Sequence, residues 1–258
     1  MKKDTKQELS ETLEKGLRIL DLFDSYHQGL RLTDISKTLG INRTSVYRYV
    51  NTFCQLGYLR KDTKTKLLKL GPKSTALAYN VLQNSDLVSI IRPVVNQTYE
   101  KYDIQIDVGL LHGNEIFLAY RQLSKNTRSF RHFTFAKGLH FLATGKAAMA
   151  FLPDEERDLL IASLNLEQKT SQTITTKAQL HVDLKKTRER GYSLNNEELV
   201  PGLIAIGAPI FSSNSNLVIG AVSFDSSTTG YTMKEFEKTF ARKAIELAKE
   251  ISVVLQIL

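Results

Sequence analysis

The sequence predicts an α+β protein in two parts, an N-terminal winged helix-turn-helix joined by a linker helix to a C-terminal α/β domain on an antiparallel sheet. Three observations carry that prediction. Basic charge is segregated: residues 1–79 hold 15 Lys+Arg against 8 Asp+Glu, while the remainder holds 20 against 19, making up the net +8. That basic third reads as three short amphipathic helices followed by a hairpin. Beyond residue 84 the strand-like stretches come in pairs joined by tight turns, the signature of antiparallel rather than crossover pairing.

The bulk numbers set the class. A chain of 258 residues with 42% hydrophobic and 24% charged residues is ordinary for a globular protein and comfortable for two domains. The longest apolar run, "LVPGLIAIGAPIF" from Leu199 to Phe211, is short and broken by Pro and Gly, so no membrane association is expected. "MKKDTKQELSE" has no apolar h-region, and one cysteine, Cys54, makes no internal disulfide; both fit a cytoplasmic protein, with Cys54 packed near a core. A basic excess confined to one domain implies a polyanionic partner.

In the first domain, Leu13, Leu17, Leu20 and Phe23 share a helical face, predicting a helix from Glu11 to Ser25. Thr33 is expected to cap a short second helix carrying Ile35 and Leu39 inward, with Gly40 as its left-handed stop. Asn42 then caps a third helix ending at Gly57, with Ile41 pinned in the corner. "YLRKDTKTKLLKL" reads as a hairpin with its tip at Thr63–Thr65, and "GPKSTALAYNVLQNSDL" as the connector helix, with Leu77 and Leu82 on one side.

In the second domain, "DLVSIIRPVVNQTYEKY" is helical, with Pro93 inside it. "IQIDVGLL" and "EIFLAYRQL" pair across "HGN", and "LIAIGAPIF" and "LVIGAVSFD" pair across "SSNSN". "TGKAAMAFL", "DEERDLLIASL", "KAQLHVDLKKTRERG" and the final "MKEFEKTFARKAIELAKEISVVLQIL" read as helices. Asp154, after Pro153, is expected to cap its helix.

The third helix carries more polar residues than packing needs. Val46, Tyr49, Val50 and Phe53 account for one face, leaving Arg43, Thr44, Ser45, Tyr47 and Arg48 crowded at its start on the other. A B-DNA major groove admits one helix, read from its N-terminal end, where Arg suits guanine and hydroxyls suit bases or phosphates. In the hairpin, Arg60, Lys61, Lys64, Lys66 and Lys69 stand against one acid, Asp62, as contact with a flanking phosphate backbone requires. The expected partner is double-stranded operator DNA. An RNA reader would instead present aromatics on a sheet.

These residues also carry a resemblance. "LEKGLRILDLFD", "LRLTDISKTLGINRTSVYRYVNTFCQLGYL" and "LLKLGPK", then "GLHFLATGKAAMAFLP", "ERGYSLNNEELVPGLIAIGAPIF" and "GAVSFDSS", resemble the IclR family of bacterial transcription regulators over nearly the whole chain. The resemblance implies residues 1–73 as the winged helix-turn-helix, 74–85 as the linker helix and 86–258 as a GAF-like effector-binding domain. It implies dimers or tetramers on palindromic operators, and a small-molecule effector such as an organic acid or aromatic metabolite. The effector positions it matches are Ala143, Thr144, Asn195, Leu203, Ala205, Ser223 and Asp225. Two departures stand out: many members have Pro where Gly138 stands and Asp where Asn195 stands. No cofactor is implied, and repressor and activator are equally open.

Other chemistry is not supported. "ATGKAA" lacks P-loop spacing: six residues separate Gly138 from Gly145, and Ala147 follows Lys146, so Gly145 is expected to allow a close backbone approach instead. His27, His112, His132, His140 and His181 show no metal spacing, leaving only a spatial approach of His132 to His140 to consider. Glu197 and Glu198 are expected to be solvated. No nucleophile with its base is visible, so binding is expected rather than turnover. The competing class is a nucleic-acid-binding protein whose second domain is an enzyme or interaction module.

Overall fold

In the computed structural model, the residues described are 10–23, 29–84, 86–125, 135–212 and 214–255. Residues 1–84 and 85–258 form two compact units.

The first unit comprises α1 (Glu11–Leu20), α2 (Leu32–Leu39), α3 (Arg43–Leu56), β1 (Leu59–Lys61), β2 (Leu68–Leu70) and α4 (Pro72–Asn84). Ile19, Leu30, Ile35, Val46, Val50, Leu59 and Leu68 make its core. Gly40 and Gly57 stop α2 and α3 in the left-handed conformation, where other residues are strained. The Asn42 side chain accepts the Ser45 N–H at 2.8 Å, capping α3. In the hairpin, Asp62 Oδ1 accepts the N–H groups of Lys64 and Thr65, which turns the chain so that Leu59 faces Leu70. Ile41 and Cys54 are half-buried against the core.

Two expectations are corrected here. The helix read as Glu11 to Ser25 ends at Leu20, and Ser25 lies outside the described residues. Its buried face is Gly16 and Ile19, whereas Leu13 and Leu17 are 62% and 49% exposed. The reason is that Gly16 brings α1 against the Phe53 ring, whose nearest atom would lie 3.5 Å from a Cβ there, rotating the leucines outward. Thr33 lies inside α2 and not at its cap. Arg31 holds that position, and Asp34 Oδ2 accepts the Arg31 N–H at 3.1 Å. In α4, Leu77 is exposed, and the Leu82 side chain is outside what is described.

The second unit comprises α5 (Asp86–Tyr102), β3 (Gln105–His112), β4 (Glu115–Gln122), β5 (Phe135–Lys137), a 3-10 turn (Leu139–Phe141), α6 (Ala143–Ala150), α7 (Asp154–Ser163), α8 (Lys177–Arg190), β6 (Ser193–Asn196), β7 (Leu203–Phe211), β8 (Val218–Ser227) and α9 (Met233–Val254). The strands form one antiparallel sheet in the order β5-β4-β3-β8-β7-β6. Side chains alternate across it. Ile106, Val108, Ile204, Ile206, Val222 and Phe224 face α5 and α9, in one cluster with Phe236, Phe240, Leu247 and Ile251. The intervening Asp107, Ala205, Ser223 and Asp225 face the other way, toward the first turn of α6.

Sequence pattern missed β5, the 3-10 turn and β6, all short. Asp154 does start α7 after Pro153, but Pro153 holds the cap position, and the Asp154 side chain pairs instead with Arg157 at 2.9 Å and Arg188 at 2.7 Å. The close approach expected at Gly145 is present: a Cβ there would stand 2.4 Å from the Leu139 carbonyl oxygen. Gly145→Ala forces α6 off that carbonyl and is expected to cost about 1–3 kcal/mol, read as a lower midpoint in urea unfolding followed by far-ultraviolet circular dichroism.

Candidate functional site: an exposed helix face and a polar cavity

On the first unit, α3 presents Thr44, Tyr47 and Arg48 to solvent, with Tyr47 52% exposed. Arg43 is exposed at the helix start, while Ser45 is half-buried and has its N–H committed to the Asn42 cap. Asn51 extends the same stripe one turn further and is exposed. Its i, i+3, i+4, i+7 relation to Thr44, Tyr47 and Arg48 was the signal available in the sequence. In the hairpin, Arg60, Lys61, Lys64 and Lys66 are exposed and Lys69 is half-buried. The first turn of α3 thus offers guanidinium and hydroxyl groups beside a helix N-terminus, the next turn adds the Tyr47 phenol and Arg48, and four exposed cations stand on the adjoining hairpin.

On the second unit, Ala143, Thr144, Asn195, Leu203, Ala205, Ser223 and Asp225 all line one cavity, of about 50 Å³. That is room for a few water-sized groups. Sequence reasoning missed its other walls: Asp107 and Gly109 on β3, Ile116, Leu118 and Arg121 on β4, and Leu142 and Leu199. Arg121 grips Asp107 with both ends of its fork, Nε to Oδ1 at 2.7 Å and Nη2 to Oδ2 at 2.5 Å, across directly facing positions of β3 and β4. The Ser223 hydroxyl donates to Asp225 Oδ1 at 2.7 Å. Burial pushes the Asp225 carboxyl up to about 8, the neighbouring Asp107 adding to the rise while Ser223 and Arg121 oppose it.

Asn195 works as a fastener. Its Nδ2 donates to the Phe141 carbonyl at 2.6 Å, and its Oδ1 accepts the Glu198 N–H at 3.0 Å. An ionised aspartate there could accept the second bond but not donate the first.

The expectation that Glu197 and Glu198 are solvated fails. Glu198 is 8% exposed, and both its oxygens take Lys146 Nζ, at 2.7 and 2.8 Å. Lys146 is wholly buried, with Asp183 Oδ2 at 3.3 Å as a second counter-charge. Burial raises the Glu198 carboxyl's pKa and Lys146 opposes the rise. Glu197 accepts the Gly202 N–H at 2.8 Å. Nothing local marks this pair, because 52 residues separate its members.

His140 is fully buried, its Nε2 lying 3.1 Å from the Glu167 carbonyl oxygen, and burial lowers its pKa. The approach of His132 to His140 lies outside the described residues, as does His27. Among the described residues no three His, Cys, Asp or Glu side chains are placed to hold a metal ion, and no helix is long and apolar enough to cross a membrane.

Comparison with known proteins supplies the family. Residues 12–63 match the IclR helix-turn-helix domain, and residues 79–253 match the bacterial transcriptional regulator IclR C-terminal domain. The HTH-type transcriptional regulator BhcR of Paracoccus denitrificans is 30% identical over 244 residues, covering 93% of this chain and 85% of that one. An IclR transcriptional regulator from Alicyclobacillus acidocaldarius has the same fold, with a TM-score of 0.80 at 20% identity over 96% of this chain and 100% of that one. So does an IclR homologue from Microbacterium hydrocarbonoxydans crystallised with 4-hydroxybenzoate, with a TM-score of 0.73 at 19% identity over 96% of this chain and 100% of that one. The chain belongs to the IclR family of bacterial transcriptional regulators.

The Asp225 carboxyl makes a prediction about stability. The folded protein keeps this proton to about pH 8, whereas the unfolded chain releases it near pH ~4. The folded state therefore binds the extra proton between those values, and stability falls as pH rises through that window. Asp225→Asn keeps an acceptor for Ser223 and removes the slope. Its thermal midpoint should match wild type near pH ~4 and exceed it above pH ~8; equal midpoints at both ends would contradict the assignment.

Proposed function

We propose that this IclR-family regulator reads operator DNA through residues 1–73 and holds a small organic effector within residues 86–258, with residues 74–85 as the linker between them. The observation that carries the DNA half is the exposed stripe of Thr44, Tyr47 and Arg48 on an Asn42-capped helix, next to a hairpin bearing Lys61, Lys64 and Lys66. Arg43, Thr44, Ser45, Tyr47 and Arg48 enter the major groove in this reading, and the three lysines touch the flanking phosphates. Palindromic half-sites one or more turns apart would engage a homodimer, or a tetramer, in the cytoplasm.

The effector half rests on the cavity under α6. Its lining includes Ala143 and Thr144 at the N-terminus of α6, an end that suits an acid's carboxylate, and Ser223 and Asp225, which suit a hydroxyl. A small organic acid or aromatic metabolite fits that chemistry, and a relative of the same fold is known with 4-hydroxybenzoate. We read the cavity as a binding site and not a catalytic one. Its lining residues include neither His nor Cys, and the carboxyl that Ser223 meets, Asp225, is driven by burial toward its neutral form, which takes no proton from the hydroxyl. Effector occupancy acts on DNA only through a difference in affinity between two states.

The experiment is a footprint on DNA upstream of the protein's own gene, at two salt concentrations and against scrambled competitor. A protected, roughly palindromic site that survives both supports the reading; equal loss on both DNAs overturns it. On that site, Arg48→Ala should cost roughly 1–3 kcal/mol and relax one base position. Lys64→Ala should weaken every sequence alike and reduce the salt slope by about 1. Uniform weakening by both variants would remove α3 from the role of reading helix.

A further inference from the structure

Among the described residues, Lys146 is one of the largest fully buried side chains, and it is charged. Three separate elements meet on its ammonium: α6, which carries it; the β6–β7 connection, through Glu198; and α8, through Asp183. The connection has other ties. Thr170 Oγ1 donates to the Glu197 carbonyl at 2.7 Å, Thr173 Oγ1 donates to the Glu198 carbonyl at 2.6 Å, and Gly202 N–H reaches Glu197. Those bonds hold its backbone to residues 170–173 and to itself, and the Glu198 N–H is also held by Asn195, which is fastened to the Phe141 carbonyl. The ion pair is what joins its side chain to the helix whose first turn, Ala143 and Thr144, walls the cavity. Asn195 and Leu199, on either side of Glu198, are the wall opposite.

We propose that Lys146 is the positioning residue of this cavity: its buried ammonium, bonded to both oxygens of Glu198 with Asp183 alongside, clamps the β6–β7 connection against α6 so that Leu199 stands as cavity wall. The proposal builds on the reading of that cavity as the effector site. A buried ion pair is a poor source of stability, since an apolar pair of similar volume is commonly as stable or more so. What it adds is direction. An ammonium between two carboxylates has few satisfactory arrangements, whereas methionine against leucine has many. The clamp therefore fixes where the wall stands, with little demand on how stable the unit is.

The test uses the full chain without ligand and compares Lys146→Met with the double variant Lys146→Met/Glu198→Leu. Thermal unfolding reports overall stability, and native-state hydrogen exchange reports residues 196–203 separately from residues 204–210 of β7. Lys146→Met alone strands a buried carboxylate and lowers the midpoint. The double variant leaves only Asp183, which is 24% exposed, without its cation, and should recover a midpoint close to wild type, yet exchange over residues 196–203 on the order of tenfold faster, with residues 204–210 unchanged. If the double variant does not fold, Glu198→Gln removes the charge in place and the same comparison applies. Wild-type exchange over 196–203, or an increase shared equally with 204–210, overturns the clamp. Both results are read without an effector, so they leave the effector reading standing. A cavity that binds nothing would overturn that reading while the exchange result stood.

Discussion

The second unit depends on how tightly α6 lies on the polar face of its sheet. The other face of the same strands is an ordinary apolar core, Ile106, Val108, Ile206, Val222 and Phe224 against α9, and would form beneath almost any cover. The polar face is demanding, because a buried hydroxyl, amide or carboxyl without a partner costs about 1–3 kcal/mol. Two glycines let α6 come close enough to supply partners. Gly145 passes over the Leu139 carbonyl, and Gly207 leaves no space for a Cβ, which would stand 2.3 Å from the Ala143 carbonyl oxygen. At that separation the Ser193 hydroxyl donates to the same carbonyl at 2.6 Å, and Asn195 reaches Phe141. The cavity is the part of this face that α6 does not fill.

How much of this was readable in the sequence divides along physical lines. Helix ends were legible where a local bond or a left-handed glycine fixes them, as at Gly40, Asn42 and Gly57. The long strands were legible because alternation is a period-2 signal that survives in β3 and β8. The buried face of α1 was not. Leu13 and Leu17 satisfy helical spacing, but spacing cannot say that a glycine three residues on will draw the helix in on its own side. A glycine is a poor hydrophobic signal and a good contact surface. The polar strand β6 was missed for a related reason: "SLNN" has no apolar alternation, and its place in the sheet comes from what Ser193 and Asn195 bond across to α6.

The cavity shows the same division. The seven positions taken from the family resemblance are ones whose backbone the motifs fix, at the start of α6 and along β6, β7 and β8. Asp107 and Arg121 lie in none of the quoted motifs, and Glu198 lies within one that does not single it out. The first two are paired by register between neighbouring strands, and Glu198 is matched to a lysine 52 residues earlier. Charge in a single sequence looks solvated unless a partner is visible, and such partners are visible only once the chain is folded. Glu197 and Glu198 make the point side by side. They are adjacent and identical, yet one closes its own turn through Gly202 and the other neutralises the most buried cation among the described residues.

Asn195 then takes on a clearer meaning than a lost carboxylate. Near it the wall already carries Asp107 and Asp225, with Arg121 committed to Asp107 by two bonds. Burial and the presence of Asp107 drive the Asp225 carboxyl toward its neutral form. A third carboxylate on β6 would raise that repulsion among side chains that are themselves buried, where charge is screened least. It would also leave the Phe141 carbonyl without the amide that Asn195 now donates. With an amide on β6 and a carboxyl on β8, the acid sits where Ser223 can bond it, and the β6 wall stays fastened on both sides. At Asn195 an amide therefore suits this cavity's charge arrangement better than an acid would.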